Sequence, residues 1–216
     1  MTSIEEQWPT GTPERAMVDA FSAFRHRDVA GLAAVSTPAS IRALAARVGR
    51  MLDARDSQTP PSSTGELTIS QAVSVLDRIV APLPKFFTDG VRWVIVGRVL
   101  ESRVFEPSPD ARGFVRLECR VTGAADQWIS VDGDLRAHQE IANRVAGLAH
   151  VVCGLDVESP DMGIVPLSPL EIATTQLVSG EWKLILDEES ELGLPGFRGL
   201  GLWIDPVSTT EAASDE

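Results

Sequence analysis

Apolar residues recur every three to four positions through the first third of the chain, a spacing that predicts helices with one buried face. The first helix is predicted to begin at Thr12, a good N-cap residue. Its apolar stripe consists of Met17, Ala20, Phe21 and Phe24. Asp28 and Thr37 are positioned to cap two further helices, and Thr68 opens a fourth with a capping box. Three helical pieces are therefore expected within residues 13–53, and a fourth helix after them.

From Arg92 onward the apolar period changes from 3.6 to 2, which predicts β-strands. Residues 115–121 alternate four apolar side chains with three charged ones, as expected of an antiparallel strand with one face in water. Gly97 is predicted to mark a bend or bulge. Residues 171–187, EIATTQLVSGEWKLILD, are predicted to form a final hairpin with a Ser-Gly turn. Helices followed by antiparallel strands indicate an α+β fold.

The length of 216 residues suits one domain that buries a sizeable core. We expect this domain to span residues 13–187, after a flexible N-terminus of residues 1–12. Within it, residues 134–149 have the apolar spacing of a helix inserted between strands. Three segments are expected to depart from the core: an exposed loop at 54–66, an insertion at 132–169, and an acidic, Gly-rich arm with a disordered tail at 188–216.

The net charge of −12 is concentrated at the C-terminal end, which disfavours long-range attraction to nucleic acid or anionic lipid. No apolar run approaches the roughly 20 residues that span a bilayer, and the N-terminus is polar and acidic, unlike a secretory signal. We therefore expect a soluble, cytoplasmic protein with neither a membrane nor a nucleic acid as partner. Cys119 and Cys153 are expected to be buried, reduced thiols.

The break at Arg27-Asp28, placed after Phe21 and Phe24, resembles the opening of the nuclear-transport-factor-2-like (SnoaL-like, polyketide-cyclase-like) superfamily. The closing VSGEWKLILD resembles the last strands of that superfamily. The likeness covers residues 13–36 and 170–187. It implies a cone in which N-terminal helices pack on a strongly curved antiparallel sheet. Members include isomerases, dehydratases, cyclases and binding modules, so this fold leaves the chemistry open.

A site in such a cone would show as polar residues at inward positions that are otherwise apolar. Arg98 lies in phase with Val94 and Val96, and a buried arginine there would need a carboxylate partner or an anionic ligand. The alternative is that Gly97 shifts the alternation and turns Arg98 toward solvent. His138 lies on the apolar side of its predicted helix, as a general base or as an ordinary structural histidine. Arg98 and His138 are the two candidate pocket residues.

The sequence contains no tyrosine, which removes one common oxyanion donor of the isomerase-like members. His26, His138 and His150 lack the spacing of a metal-binding motif, and no metal or cofactor is expected. The leading hypothesis is a non-catalytic protein that binds a small apolar molecule or a protein partner in or on the cone. One alternative is an isomerase, dehydratase or cyclase that uses Arg98 and His138. Another is a homo-oligomeric assembly protein, dimeric through the sheet face or the Gly-rich arm.

Overall fold

The computed structural model describes residues 7–55, 67–82, 91–104, 115–124, 126–133, 147–159, 163–166 and 170–186. The helices in these ranges are α1 (Pro13–Arg25), α2 (Val29–Val35), α3 (Pro38–Arg55) and α4 (Ile69–Val80). The strands are β1 (Val91–Val104), β2 (Val115–Val121), β3 (Trp128–Gly133), β4 (Leu148–Ser159), β5 (Gly163–Pro166), β6 (Glu171–Val178) and β7 (Glu181–Leu184). A single 3-10 turn, Thr122–Ala124, follows β2.

The helices begin where the local sequence supplies a cap. The side chains of Thr12 and Asp28 each accept a hydrogen bond from the backbone amide three residues on, at 3.2 and 2.8 Å. Thr68 and Gln71 form a complete capping box at the start of α4. These contacts satisfy amides that a helix leaves unpaired at its N-terminus. Between α1 and α2, Arg27 adopts a φ of 58°, which turns the chain at the predicted break.

The seven strands form one curved, mostly antiparallel sheet in the order β5-β4-β1-β2-β3-β6-β7. Strand β4 also pairs with β6, so β4, β1, β2, β3 and β6 form a closed circuit of neighbours. One parallel pair, Asp132 opposite Glu171, completes the circuit between β3 and β6. The predicted class, α+β with N-terminal helices packed on a curved antiparallel sheet, is confirmed.

Strands β4 and β6 lie between two apolar clusters. Val151, Cys153 and Ala173 are buried against the helices in the first cluster. Their neighbours Val152 and Ile172 point the other way and pack in the second cluster. Four buried side chains of β2 and β3 complete the second cluster: Leu117, Cys119, Val121 and Val131. Because side chains alternate along a strand, the helices cover one face of this part of the sheet, and β2 and β3 curl over the other.

The segment predicted as an insertion, residues 132–169, contains β4 and β5. The helix predicted over residues 134–149 is wrong for Gly147, which lies in a turn, and for Leu148 and Ala149, which begin β4. Strand β4 pairs with β1, β5 and β6, so it belongs to the sheet and not to an inserted helical segment. The helix prediction for residues 134–146 lies outside the described residues.

The final hairpin is confirmed, with β6 and β7 joined by Ser179 and Gly180. These two residues have φ values of 52° and 86°, the pair of positive angles that a tight two-residue hairpin turn requires. At the other end of the chain, Trp8 is only 8% exposed, although residues 1–12 were predicted to be flexible. The predictions for residues 56–66 and 187–216 lie outside the described residues.

Candidate functional site

Arg98 directly follows a bulge in β1. Gly97 has a φ of 144°, and the register between β1 and β4 shifts between Ile95 and Gly97, as predicted for this glycine. The extra residue changes the alternation: Val96 packs in the second cluster, whereas Arg98 pairs with Val151, which faces the helices. Arg98 is therefore half-buried on the helix-covered face and is not in phase with Val96.

A buried carboxylate contacts the backbone of Arg98. Glu14 is the second residue of α1 and is only 3% exposed. Its Oε1 accepts hydrogen bonds from the Thr122 hydroxyl at 3.0 Å and from the Arg98 amide at 3.1 Å. The same amide lies 2.9 Å from Thr122 Oγ1. Glu14 thus binds the backbone amide of Arg98, and the contact joins the first turn of α1 to the bulge of β1.

The chain packs tightly around this contact. A Cβ added to Gly97 would lie 2.5 Å from Thr122 Oγ1. At Gly123 an added Cβ would overlap the carbonyl oxygen of Val96 and lie 3.4 Å from the Trp8 ring. Glycine is needed at both positions because the backbones approach so closely. This arrangement is suited to holding α1 on the sheet, and it is a structural contact.

One polar pair lies on the face of β4 and β6 that carries the second cluster. His150 and Thr174 are directly opposite each other on β4 and β6, with 3.4 Å between His150 Nδ1 and Thr174 Oγ1. They share a face with Val152 and Ile172, two residues away on the same strands. The sequence did not indicate this pair, because β4 was not recognised as a strand. His138 lies outside the described residues.

Both cysteines are free, buried thiols, as predicted. Burial raises the pKa of Cys119 to about 11. Burial, together with the negative charge of Glu171, raises the pKa of Cys153 well above its usual value. Both therefore stay protonated at neutral pH and are poor nucleophiles. In the ranges that the structure describes, no group of three or more His, Cys, Asp or Glu side chains is arranged to hold a metal ion.

The outer face of β1, β2 and β3 carries five side chains that we call the charge ladder: Glu101, Arg103, Glu118, Arg120 and Trp128. Arg103 contacts Glu118 on the neighbouring strand at 2.6 and 2.7 Å. Arg120 contacts Glu101 at 3.0 Å. Arg103 also lies over the Trp128 ring, with its guanidinium carbon 4.1 Å from the ring centroid. The ladder therefore joins three strands through ion pairs and one cation–π contact.

The ladder is accessible from solvent, with Arg103 57% exposed and Trp128 37% exposed. An exposed ion pair stabilises a fold by only about 0–1 kcal/mol, so the ladder adds little to stability. Arg103 is nevertheless held between Glu118 and Trp128. The alternation in residues 115–121 indicated two members of the ladder, Glu118 and Arg120. The others were not indicated because they lie on two other strands.

The chain matches no protein-family model, and it has no significant match among curated proteins or solved structures. Within the described ranges, no helix is long and apolar enough to cross a membrane.

Proposed function

We propose that the protein is a non-catalytic binding module of the nuclear-transport-factor-2-like type, and that it binds a protein partner through the outer face of β1, β2 and β3. The carrying observation is the charge ladder, in which Arg103 is stacked on the exposed Trp128 and fixed by Glu118. Tryptophan and arginine contribute most strongly to protein–protein binding energy. A side chain that is already ordered loses less entropy when a partner binds.

The packing of the second cluster, on the opposite face of these strands, argues for a binding site on the outer face. Leu117, Cys119, Val121, Val131 and Val152 are fully buried and pack in one cluster. Interiors packed in this way have little free volume, so a small apolar molecule could enter only if these side chains moved apart. The partner is therefore proposed to bind on the outer face and not between these side chains.

An enzymatic role of the isomerase, dehydratase or cyclase type would need polar groups that converge on a substrate pocket. Arg98, one of its two candidates, lies instead at the contact between α1 and the bulge, where Glu14 and Thr122 engage its amide. This contact is structural, and we do not propose the enzymatic alternative.

Site-specific photo-cross-linking tests the proposal. A photoreactive amino acid placed at Ser130, beside Trp128 on the outer face, leaves the charge ladder intact. In cells that produce the protein naturally, irradiation is expected to yield protein adducts from this position. The control position is Ser74, exposed on α4, which is expected to yield none. Adding Trp128→Ala to the Ser130 probe is expected to reduce the yield.

Adducts that form equally from Ser130 and Ser74, or a yield that is unchanged by Trp128→Ala, would refute the proposed binding face. Native mass spectrometry of the purified chain tests the small-molecule reading in parallel. A co-purified compound of low mass, released on unfolding, would favour a ligand inside the fold over a partner on the outer face.

A further inference from the structure

We propose that the acidic C-terminal arm, residues 188–216, folds back onto helices α3 and α4, with apolar side chains of the arm in a groove beside Val75. The groove, the charge of α3 and the position at which the described chain ends all favour this contact. The two helices are separate from the outer face of β1, β2 and β3, so the contact is independent of the protein partner proposed above.

The groove runs along the exposed side of α4 and has a volume of about 440 Å³. Five side chains of α4 line it: Ser70, Gln71, Ser74, Val75 and Arg78. They form two neighbouring rows, because residues four apart lie one above the other on a helix. Most of the lining surface is apolar, and Arg78 adds one positive charge. The groove is therefore suited to apolar side chains that are accompanied by negative charge.

Helix α3 lies next to Val75 and leaves it uncovered at one position. A Cβ added to Gly49 would lie 3.8 Å from Val75 Cγ1, so the glycine faces this side chain. A larger residue at position 49 would cover part of Val75 from the α3 side. Val75 is half-buried, and each Å² of apolar surface that is covered contributes about 25 cal/mol. A leucine, phenylalanine or tryptophan of the arm would gain this contribution in the groove.

Helix α3 is basic, although the chain as a whole is acidic. It contains one acid, Asp53, and four arginines: Arg42, Arg47, Arg50 and Arg55. Its net charge is therefore +3, whereas the whole chain carries −12. The arm contains seven acids and one arginine, which gives it a net charge of −6. Opposite charges thus attract the arm to α3, over distances of about 8 Å at physiological salt.

The described chain ends beside the helices. Leu186 is 2% exposed and belongs to the first cluster, together with residues of α1, α3 and α4. The apolar stretch of the arm begins at Leu192, six residues later. Six extended residues span up to roughly 20 Å, about twice the 8–10 Å that separate the axes of packed helices. The arm therefore starts on the helical side of the sheet, with enough length to reach a neighbouring pair of helices.

The order of residues in the arm fits the groove. Its large apolar side chains are Leu192, Leu194, Phe197, Leu200, Leu202, Trp203 and Ile204. Four glycines lie among them, and glycine lets a backbone approach a surface closely. Glu191 precedes the apolar stretch, and Asp205 follows it. We expect these acids to lie near the arginines of α3 and near Arg78 while the apolar stretch covers Val75.

The covalent link makes the arm of the same chain the favoured occupant. A segment that is joined by a short linker acts at an effective concentration in the millimolar range. A contact that is too weak to hold a separate peptide at micromolar concentration is then occupied within one chain.

A photoreactive amino acid in place of Trp203 tests the contact in the full chain. Benzoylphenylalanine keeps an aromatic ring in the arm, and irradiation of the purified protein links this ring to residues that it touches. Peptide mass spectrometry is expected to place the links on α3 or α4 of the same chain. The same probe at Trp128, exposed on β3, is the control and should give no link to these helices. Such links add no mass, so Ser74 remains a valid control for adducts with other proteins.

Two substitutions at Ser74 separate charge from steric effects. Ser74→Glu and Ser74→Lys both lose the hydrogen bond that the Ser74 hydroxyl donates to the Ser70 carbonyl oxygen. Glutamate adds a negative charge to the groove, and lysine adds a positive one. The yield of links from the Trp203 probe is expected to be about two- to fivefold lower in Ser74→Glu than in Ser74→Lys. The difference should shrink at about 1 M salt, where the Debye length is about 3 Å.

Arg50→Glu tests the charge of α3, on which Arg50 is exposed. Exchanging one positive for one negative charge lowers the net charge of α3 from +3 to +1 and should lower the yield by a similar factor. Arg120→Glu makes the same exchange on the outer face of β2 and should leave the yield unchanged.

Circular dichroism checks that each variant folds. The absence of links to α3 and α4, or links spread over the whole chain, would overturn the inference. Links that double the chain mass of 23.2 kDa would place the arm on a second copy and would also overturn it. Equal yields from folded Ser74→Glu and Ser74→Lys would do the same, because the groove would then not select the arm by its charge.

Discussion

Glu14→Ala is expected to reduce the free energy of unfolding by about 2–3 kcal/mol. The change removes a buried carboxylate that accepts two hydrogen bonds, from the Thr122 hydroxyl and from the Arg98 amide. A hydrogen bond to a charged group contributes about 1.5–3 kcal/mol. In Glu14→Ala the Arg98 amide still has Thr122 Oγ1 as an acceptor at 2.9 Å, so this amide loses only one of its two acceptors. The charge of a carboxylate in the first turn also stabilises the helix through its dipole, by about 0.3–1 kcal/mol. Removing the carboxylate also removes the cost of burying its charge, which offsets part of the loss.

Two further variants separate the contact from general effects of mutation in α1. Glu14→Gln keeps the side-chain shape and an acceptor oxygen but loses the charge, so we expect a cost of about 1 kcal/mol. Asp19→Ala removes the other acid of α1, which is 40% exposed and pairs with Arg15 at the surface. Its expected cost is about 0–1 kcal/mol, as for other exposed ion pairs.

Urea unfolding followed by circular dichroism measures the three costs, and equal m-values justify comparing the midpoints. Tryptophan fluorescence gives a second probe, because Trp8 lies beside the α1–bulge contact. If Glu14→Ala costs no more than Asp19→Ala, the Glu14 carboxylate does not hold α1 on the sheet.

Gly97→Ala should cost about 2–4 kcal/mol in urea unfolding, because Gly97 has a φ of 144° and lies close to Thr122; a cost below about 1 kcal/mol would contradict this. Asp28→Ala should cost about 1 kcal/mol through loss of the α2 cap, whereas Asp28→Asn should cost much less, and equal costs would speak against capping. Because the folded pKa of Cys119 is about 11 against an ordinary 9.0, the unfolded chain releases its proton first, so stability should fall between these pH values. Alkaline urea titrations should show a smaller fall in Cys119→Ala, and an identical fall would refute the assignment.

The helix starts were predictable because their causes are local. The cap residues Thr12, Asp28 and Thr68 each act on an amide three residues away. The outward charges of β2 were predictable for a similar reason, since one face of that strand is buried and the other is in water.

Strand β4 was missed because it is buried on both faces. Val151, Val152 and Cys153 are consecutive and fully buried, so the strand shows no alternation of apolar and polar residues. The phase of Arg98 could not be settled from the sequence, because a bulge reverses the facing of every later residue and its position depends on the partner strand.

The contacts around the candidate sites were beyond the sequence because they join distant residues. Glu14 lies 84 residues from Arg98 and 108 residues from Thr122 along the chain. In the charge ladder, Arg103 and Trp128 come from strands that are separated by β2. Residue type alone could not pair them, since the pairing follows from strand order and register.

The wall that β4 and β6 form between the two apolar clusters has a consequence for cooperativity. Val151 and Val152 are adjacent in sequence, yet each belongs to a different cluster, and the same holds for Ala173 and Ile172. Detaching the helices would expose the side chains of β4 and β6 that pack in the first cluster. Opening β2 and β3 would expose those that pack in the second cluster. Neither half can therefore lose its packing without exposing strands that the other half needs. The two clusters should consequently unfold together, as one unit, and not as separable subdomains.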